Sequence, residues 1–190
     1  MSIFLPGRAA RVALGFGVAA AFVPAGLAQA ATDDSAVTVT GTAGVALTTS
    51  PLFGDFPGIT LTGDNQTVTT SVTNWMVTDA TGTAPGWSAN IIADLPHNAA
   101  STTVMTGAAL ELTVPTATTA GTNASTAPVL AGKANIIAGG GINAANAAAG
   151  TGAGEWTLTQ GAAHLGLTIP ADAKAESYTM TITTTLNAAV

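Results

Sequence analysis

The stretch YTMTITTTL, residues 178–186, decides the fold that this sequence predicts. Apolar side chains and threonines alternate along it. Because successive side chains of a β-strand point to opposite faces, this period of two predicts a strand. Threonine is β-branched and suits a pleated surface that is half exposed to water. Five side chains would share the buried face: Tyr178, Met180, Ile182, Thr184 and Leu186.

The same alternation recurs in three other runs, 36–40, 108–114 and 165–169. Clusters of Gly, Asn, Asp and Pro lie between the runs and favour chain reversals. No capped amphipathic helix alternates with the strands, which argues against a parallel α/β fold. We therefore expect an all-β fold, an antiparallel β-sandwich or a barrel-like single domain.

The segment 131–154 breaks this pattern because it is rich in Ala, Gly and Asn. Such a composition is compatible with a Gly/Ala-rich loop or with a short helix inserted into the domain. Three consecutive glycines at 139–141 favour the loop, since glycine loses the most conformational freedom when it is fixed in a helix.

Residues 1–30 have the layout of a secretory signal peptide. Two arginines precede an apolar run that is well short of the roughly 20 residues a membrane span needs. A small-residue site follows, in which Ala28, Ala30 and Ala31 surround the expected cut after Ala30. We therefore expect a secreted protein without a membrane span, whose residues 31–190 form one domain.

Charge narrows the choice of partners. The chain has four Lys plus Arg against ten Asp plus Glu, and both arginines lie in the predicted signal peptide. The secreted chain would keep only Lys133 and Lys174, with a formal net charge of −8. It therefore lacks the cations with which proteins bind nucleic acids. Because anionic wall polymers would also be repelled, retention on a wall needs neutral glycan contacts, divalent bridging or a protein partner.

No arrangement for catalysis or metal binding stands out. The chain has no Cys, which excludes a thiol nucleophile and a Cys-ligated metal. His97 and His164 lie in unrelated contexts, and no G-x-S-x-G, H-E-x-x-H or Walker motif is present. We therefore expect a protein that is not an enzyme and uses no cofactor or metal.

Trp75, Trp87 and Trp156 each lie at or beside a predicted strand, and two roles are open to them. Core packing is the ordinary role of a large apolar side chain, and composition favours it. An exposed indole can instead pack on a sugar ring while nearby polar side chains bond the hydroxyls. One exposed indole would suffice, so the three tryptophans and Asp79 are our candidate glycan- or partner-binding residues.

Several pieces of sequence follow one another in an order that carries a resemblance. They are FGDFPGITL at 53–61, VTDATGTAPGW at 77–87, GAALEL at 107–112, GAGEW at 152–156, LTIP at 167–170 and the stretch 178–186. This series resembles the WxL domain of Gram-positive surface proteins and covers nearly all of the chain after residue 30. The resemblance implies a secreted all-β domain that associates non-covalently with the cell wall through peptidoglycan, often beside partner proteins.

The two Trp-x-Leu motifs that name the family are altered here. The proximal motif is similar to Trp87-Ser88-Ala89, with Ala in place of a larger aliphatic residue. The distal motif falls on Thr184-Thr185-Leu186, which keeps the Leu and lacks the Trp. Trp156-Thr157-Leu158 spells the motif at a different place in the pattern. Loss of the distal Trp removes a side chain by which that motif would bind the wall. The alternation that predicts the strand is kept.

Two functions lead at this point, and an unrecognised hydrolase, which the missing motifs disfavour, comes third. The resemblance implies an extracellular, wall-associated protein that binds peptidoglycan or another surface protein. Thr-rich strands, few charges and an exposed strand edge would also suit self-assembly. The alternative is therefore a structural subunit of a surface layer, filament or extracellular matrix.

Overall fold

The computed structural model describes residues 44–114, 116–119, 125–137 and 139–188. The predicted signal peptide, its cleavage site at Ala28, Ala30 and Ala31 and the predicted strand 36–40 lie outside these residues. The described residues form strands, bridges and turns and contain no helix, hence none long and apolar enough to cross a membrane.

Twelve strands are found in the described part of the chain, and every pairing between them is antiparallel. This confirms the predicted all-β class. In chain order they are β1 (Val45–Thr49), β2 (Gln66–Thr70), β3 (Trp75–Asp79), β4 (Trp87–Ala93), β5 (Ala109–Val114), β6 (Thr116–Thr119), β7 (Val129–Leu130), β8 (Gly132–Asn135), β9 (Ile142–Ala147), β10 (Gly154–Thr159), β11 (Leu165–Ile169) and β12 (Ile182–Ala188).

The strands form three four-stranded sheets. Sheet 1 has the order β1-β3-β10-β6, sheet 2 the order β2-β11-β5-β8, and sheet 3 the order β12-β4-β9-β7. Buried side chains from all three sheets belong to one hydrophobic core. No sheet closes on itself within the described residues, so the domain is sandwich-like and the barrel-like alternative is not realised.

Side-chain alternation positions the core, both in β4, which is not among the runs predicted above, and in the predicted stretch 178–186. In β4, WSANIIA, every odd position is buried, from Trp87 to Ala93, and the side chains between them are half-exposed. In the stretch 178–186 the predicted inner residues are half-buried and the threonines between them are exposed. The strand proper begins at Ile182, because Thr179 forms only an isolated bridge, with His97.

The segment 131–154 corrects our expectation of a loop or a short helix. It forms β8 and β9, which are joined by a turn through Gly139, Gly140 and Gly141, all with positive φ. A Cβ at Gly141 would lie 2.5 Å from the carbonyl oxygen of Ile91. The chain therefore passes so close to β4 that only glycine fits, and this packing overrides the weak strand propensity of Ala and Gly.

Candidate functional site

The four residues that the sequence suggested for binding lie in the core. Trp75, Trp87, Trp156 and Asp79 are 0%, 2%, 3% and 3% exposed. Each occupies an inward-facing position of its strand. The structure thus gives the indoles a packing role, and a glycan has no access to these side chains in this conformation.

The indole N–H groups of Trp87 and Trp156 are satisfied inside the protein. Trp87 Nε1 donates to the carbonyl oxygen of Gly152, and Trp156 Nε1 donates to that of Ala153, each at 3.1 Å. Gly152 has a φ of 69°, and a Cβ there would collide with Ala147 and with the Trp87 indole. The turn before β10 therefore closes over Trp87, and glycine is required for that closure.

Trp75 is held by a polar cluster around Gln160. The Gln160 amide oxygen accepts a hydrogen bond from Trp75 Nε1 at 3.2 Å, while its nitrogen donates to Thr113 O at 2.9 Å and to His164 Nδ1 at 3.1 Å. This amide orientation is assigned because it gives every group a partner. In this orientation His164 accepts the Gln160 hydrogen bond through Nδ1. The cluster anchors a core indole.

Asp79 closes the turn that follows β3. Its Oδ1 accepts hydrogen bonds from the backbone N–H of Thr81 at 3.1 Å and from the Thr81 hydroxyl at 2.6 Å. Its Oδ2 is buried and has no hydrogen-bond partner within the described chain. No group of three or more His, Cys, Asp or Glu that could hold a metal ion is found among the described residues.

The outer surface of sheet 3 presents hydrogen-bonding side chains in register. Cross-strand partners of an antiparallel sheet point to the same side, and the partners of β12, β4 and β9 form two polar rows. The first row is Asn187–Ser88–Asn146, and the second is Thr185–Asn90–Asn143. Thr183 is a further outward-facing polar residue on β12. We name these seven residues the amide face.

The amide face lies on an uncharged sheet. No strand of sheet 3 contains Asp, Glu, Lys, Arg or His, whereas sheet 1 carries Asp79 and Glu155. Sheet 2 carries Glu111 and Lys133, whose side chains form an ion pair at 2.7 Å. Outside the strands of sheet 3, the described residues include two lysines and eight acidic residues. This makes sheet 3 a neutral surface on an acidic domain.

The hydrogen-bonding groups of the amide face are unused within the described part of the chain. The four asparagines of the face are half-exposed or exposed, and none makes a side-chain hydrogen bond to another described residue. Asparagines elsewhere are engaged, since Asn135 Oδ1 accepts from the backbone of Leu110 and Ile137, and Asn98 Oδ1 accepts from Thr102. An amide offers both donors and acceptors, so the face can bond sugar hydroxyl or acetamido groups.

Sequence reasoning missed the amide face because it requires register between distant segments. Asn143 and Asn146 lie in the segment that we expected to be a loop. Asn187 follows the distal motif, and Asn90 directly follows the proximal motif. A usable signal was present in the alternation of β4 and β12, whose polar positions are Ser, Asn and Thr without a single charge.

A second surface feature is a groove of about 1100 Å³ between residues 51–61 and 173–182. Its apolar lining includes Phe53, Phe56, Ile59, Leu61, Tyr178, Met180 and Ile182. Ile182 begins β12, an edge strand that forms its ladder only with β4 among the described strands. The groove is therefore bordered by a strand end with an unpaired edge.

Comparison with known proteins identifies one family. The model of the WxL domain, described as surface cell wall-binding, matches residues 56–189. No curated protein and no solved structure matches the chain significantly. The matched range contains every strand of sheets 2 and 3 and therefore the whole amide face.

Proposed function

The chain belongs to the WxL family of surface cell-wall-binding domains, and from this premise we propose a secreted, non-catalytic protein of the Gram-positive cell surface. It associates non-covalently with the wall, through peptidoglycan or through a surface partner. The resemblance in an ordered series of motifs and the predicted signal peptide support the extracellular location.

The observation that carries the proposal is the neutral amide face on an otherwise acidic domain. Excess acidic residues repel the anionic polymers of a wall, and two lysines offer little attraction in return. The amide face carries no charge and therefore does not itself repel these polymers. Its free donors and acceptors match the hydroxyl and amide groups of a glycan.

Wall binding is tested by cosedimentation of the purified protein with purified peptidoglycan. We expect binding by the wild type and a loss of about 30-fold in the double variant Asn90→Ala/Asn143→Ala, because two hydrogen bonds of about 1 kcal/mol each are removed. The matched control is Thr67→Ala/Thr168→Ala on the outer side of sheet 2, which should bind as the wild type does. Failure of the folded wild type to cosediment would overturn direct binding to peptidoglycan.

The second candidate is a structural subunit, and the unpaired edge of β12 beside the groove favours it. An exposed edge can add a strand from another chain, here a second copy of this protein. Electron microscopy of the purified protein separates the two candidates. Ordered polymers would favour the subunit, whereas dispersed particles that bind peptidoglycan would favour the wall-binding protein.

A further inference from the structure

One end of the amide face opens into a hollow of about 320 Å³. Three polar side chains border it, and they are the whole first row of the face, Asn187, Ser88 and Asn146. The rest of its lining consists of Pro85, Trp87, Ala147, Ala148, Ala149 and Ala188. The hollow therefore joins a small apolar wall to three free hydrogen-bonding groups.

The backbone around the hollow is fixed by close packing. Gly86 has a φ of 90°, and a Cβ there would lie 2.7 Å from the carbonyl oxygen of Ala147. Gly150 N donates to Ala84 O at 2.8 Å, and Thr151 bonds Ala148 O through both its N–H and its hydroxyl. Two turns from distant parts of the chain are thus tied together, so the hollow is pre-formed.

The lining of the hollow favours an uncharged ligand group. It contains no Asp, Glu, Lys, Arg or His, so neither a carboxylate nor an ammonium group would find a counter-ion there. Burying an unpaired charge costs several kcal/mol, whereas a neutral amide needs only hydrogen bonds. The ligand group should therefore be uncharged, with a polar part for Asn and Ser and a small apolar part for the alanines and proline.

We propose that this hollow binds the acetamido group of an N-acetylated hexosamine in an uncharged glycan. The acetamido methyl packs against the alanines and Pro85, and its N–H and C=O bond the row formed by Asn187, Ser88 and Asn146. The sugar hydroxyls lie over the second row, Thr185–Asn90–Asn143. This assignment rests on the proposed wall-binding function and specifies the chemical group by which the wall is recognised.

The test compares two probes that differ only in acetylation, a β-1,4-linked tetramer of N-acetylglucosamine and its de-N-acetylated counterpart. The de-N-acetylated probe is cationic, so the acidic domain attracts it electrostatically. A preference of at least about tenfold for the acetylated tetramer, measured by titration calorimetry, therefore reports the hollow and not net charge. Chemical re-acetylation of the amine tetramer should restore binding.

Two variants test whether the hollow is the source of the preference for the acetylated tetramer. Asn146→Ala removes one of three hydrogen-bonding groups and should lower the preference for the acetylated tetramer about fivefold. Ala149→Leu fills the hollow from an exposed position and should abolish that preference. Asn143→Ala, in the second row, should weaken binding while keeping the preference. Unchanged far-ultraviolet circular dichroism shows that each variant is folded.

The outcomes separate this inference from the proposed function. If the wild type binds peptidoglycan but treats the two tetramers alike, the proposed function stands and the inference is overturned. The inference is also overturned if Ala149→Leu keeps the full preference. If the wild type binds neither peptidoglycan nor the tetramers, the inference and direct binding to peptidoglycan are both overturned.

Discussion

Ala89 on β4 is the register partner of Leu186 on β12, and both side chains point toward the core. These residues hold the third positions of the two segments that resemble the family's motifs. The register therefore places the proximal and distal motifs side by side in one sheet, with Thr184 opposite Ile91. In this chain the first and third residues of each motif segment face the core. The second residue, and the residue directly after the segment, face outward.

The pairing predicts that Leu186 is a stability residue. Leu186→Ala removes half-buried apolar surface from the edge of the core and should lower the free energy of unfolding by about 1–2 kcal/mol. Thr185→Ala, one position earlier on the exposed face, should change it by less than about 0.5 kcal/mol. Urea unfolding followed by tryptophan fluorescence measures both, and equal effects of the two variants would contradict the inward assignment of Leu186.

Because the turn before β10 closes over Trp87, we expect substitution of Gly152 to lower the free energy of unfolding strongly. Gly152→Ala combines positive φ with a collision against Ala147 and the Trp87 indole, so it should destabilise the protein by more than about 2 kcal/mol. Gly150 has a similar φ of 81°, but a Cβ there meets nothing within 4 Å. Gly150→Ala should therefore cost only the backbone strain, about 1 kcal/mol. Thermal unfolding checks the order of the two variants, and a reversed order would exclude this packing.

The polar cluster predicts that Gln160 supports Trp75. Gln160→Met leaves the buried indole N–H of Trp75 without its acceptor, which should cost about 1–3 kcal/mol. Thr69→Ala, exposed on β2, serves as the surface control and should be close to neutral. Chemical denaturation gives both values. A neutral Gln160→Met would show that the indole N–H finds another acceptor.

Two substitutions of Asp79 should differ in their effect on stability. Asp79→Asn keeps the Oδ1 acceptor for Thr81 and replaces the carboxylate, whose buried Oδ2 has no hydrogen-bond partner in the described chain, with an uncharged amide, so stability should be close to that of the wild type. Asp79→Ala leaves the Thr81 donors without an acceptor and should cost about 1–2 kcal/mol. Calorimetric unfolding temperatures at neutral pH measure the pair. Strong loss in Asp79→Asn would instead indicate that the carboxylate has a charged ligand.

Salt dependence provides a check on the uncharged binding surface. Raising NaCl from about 0.1 M to about 1 M shortens the Debye length from about 10 Å to about 3 Å, which screens ionic contacts. Peptidoglycan binding through the amide face should change by less than about twofold. A Ser88→Lys variant, which adds a charge to the face, should acquire salt-dependent binding. A large loss of wild-type binding with salt or with a divalent chelator would point to ionic bridging instead.

Some of the fold could be predicted because it depends on local pattern. The alternation in 178–186 fixes which side chains of the last strand face inward, and the same period of two identifies β5 and β11. The segment 131–154 could not be predicted, because Ala and Gly carry little strand propensity of their own. It forms β8 and β9, which belong to two different sheets, because small residues allow close packing, as where the chain meets β4 at Gly141.

The sequence by itself determined the all-β class, the deficit of positive charge and the family resemblance, since each depends on composition or on residues close together in the chain. Only the tertiary structure decided which groups meet solvent. It buried all three tryptophans, which composition leaves open, and it set Ser88, Asn146 and Asn187 side by side although they come from three separate segments. Strand register is the physical reason, because a shift of one residue in either pairing would turn these polar groups into the core.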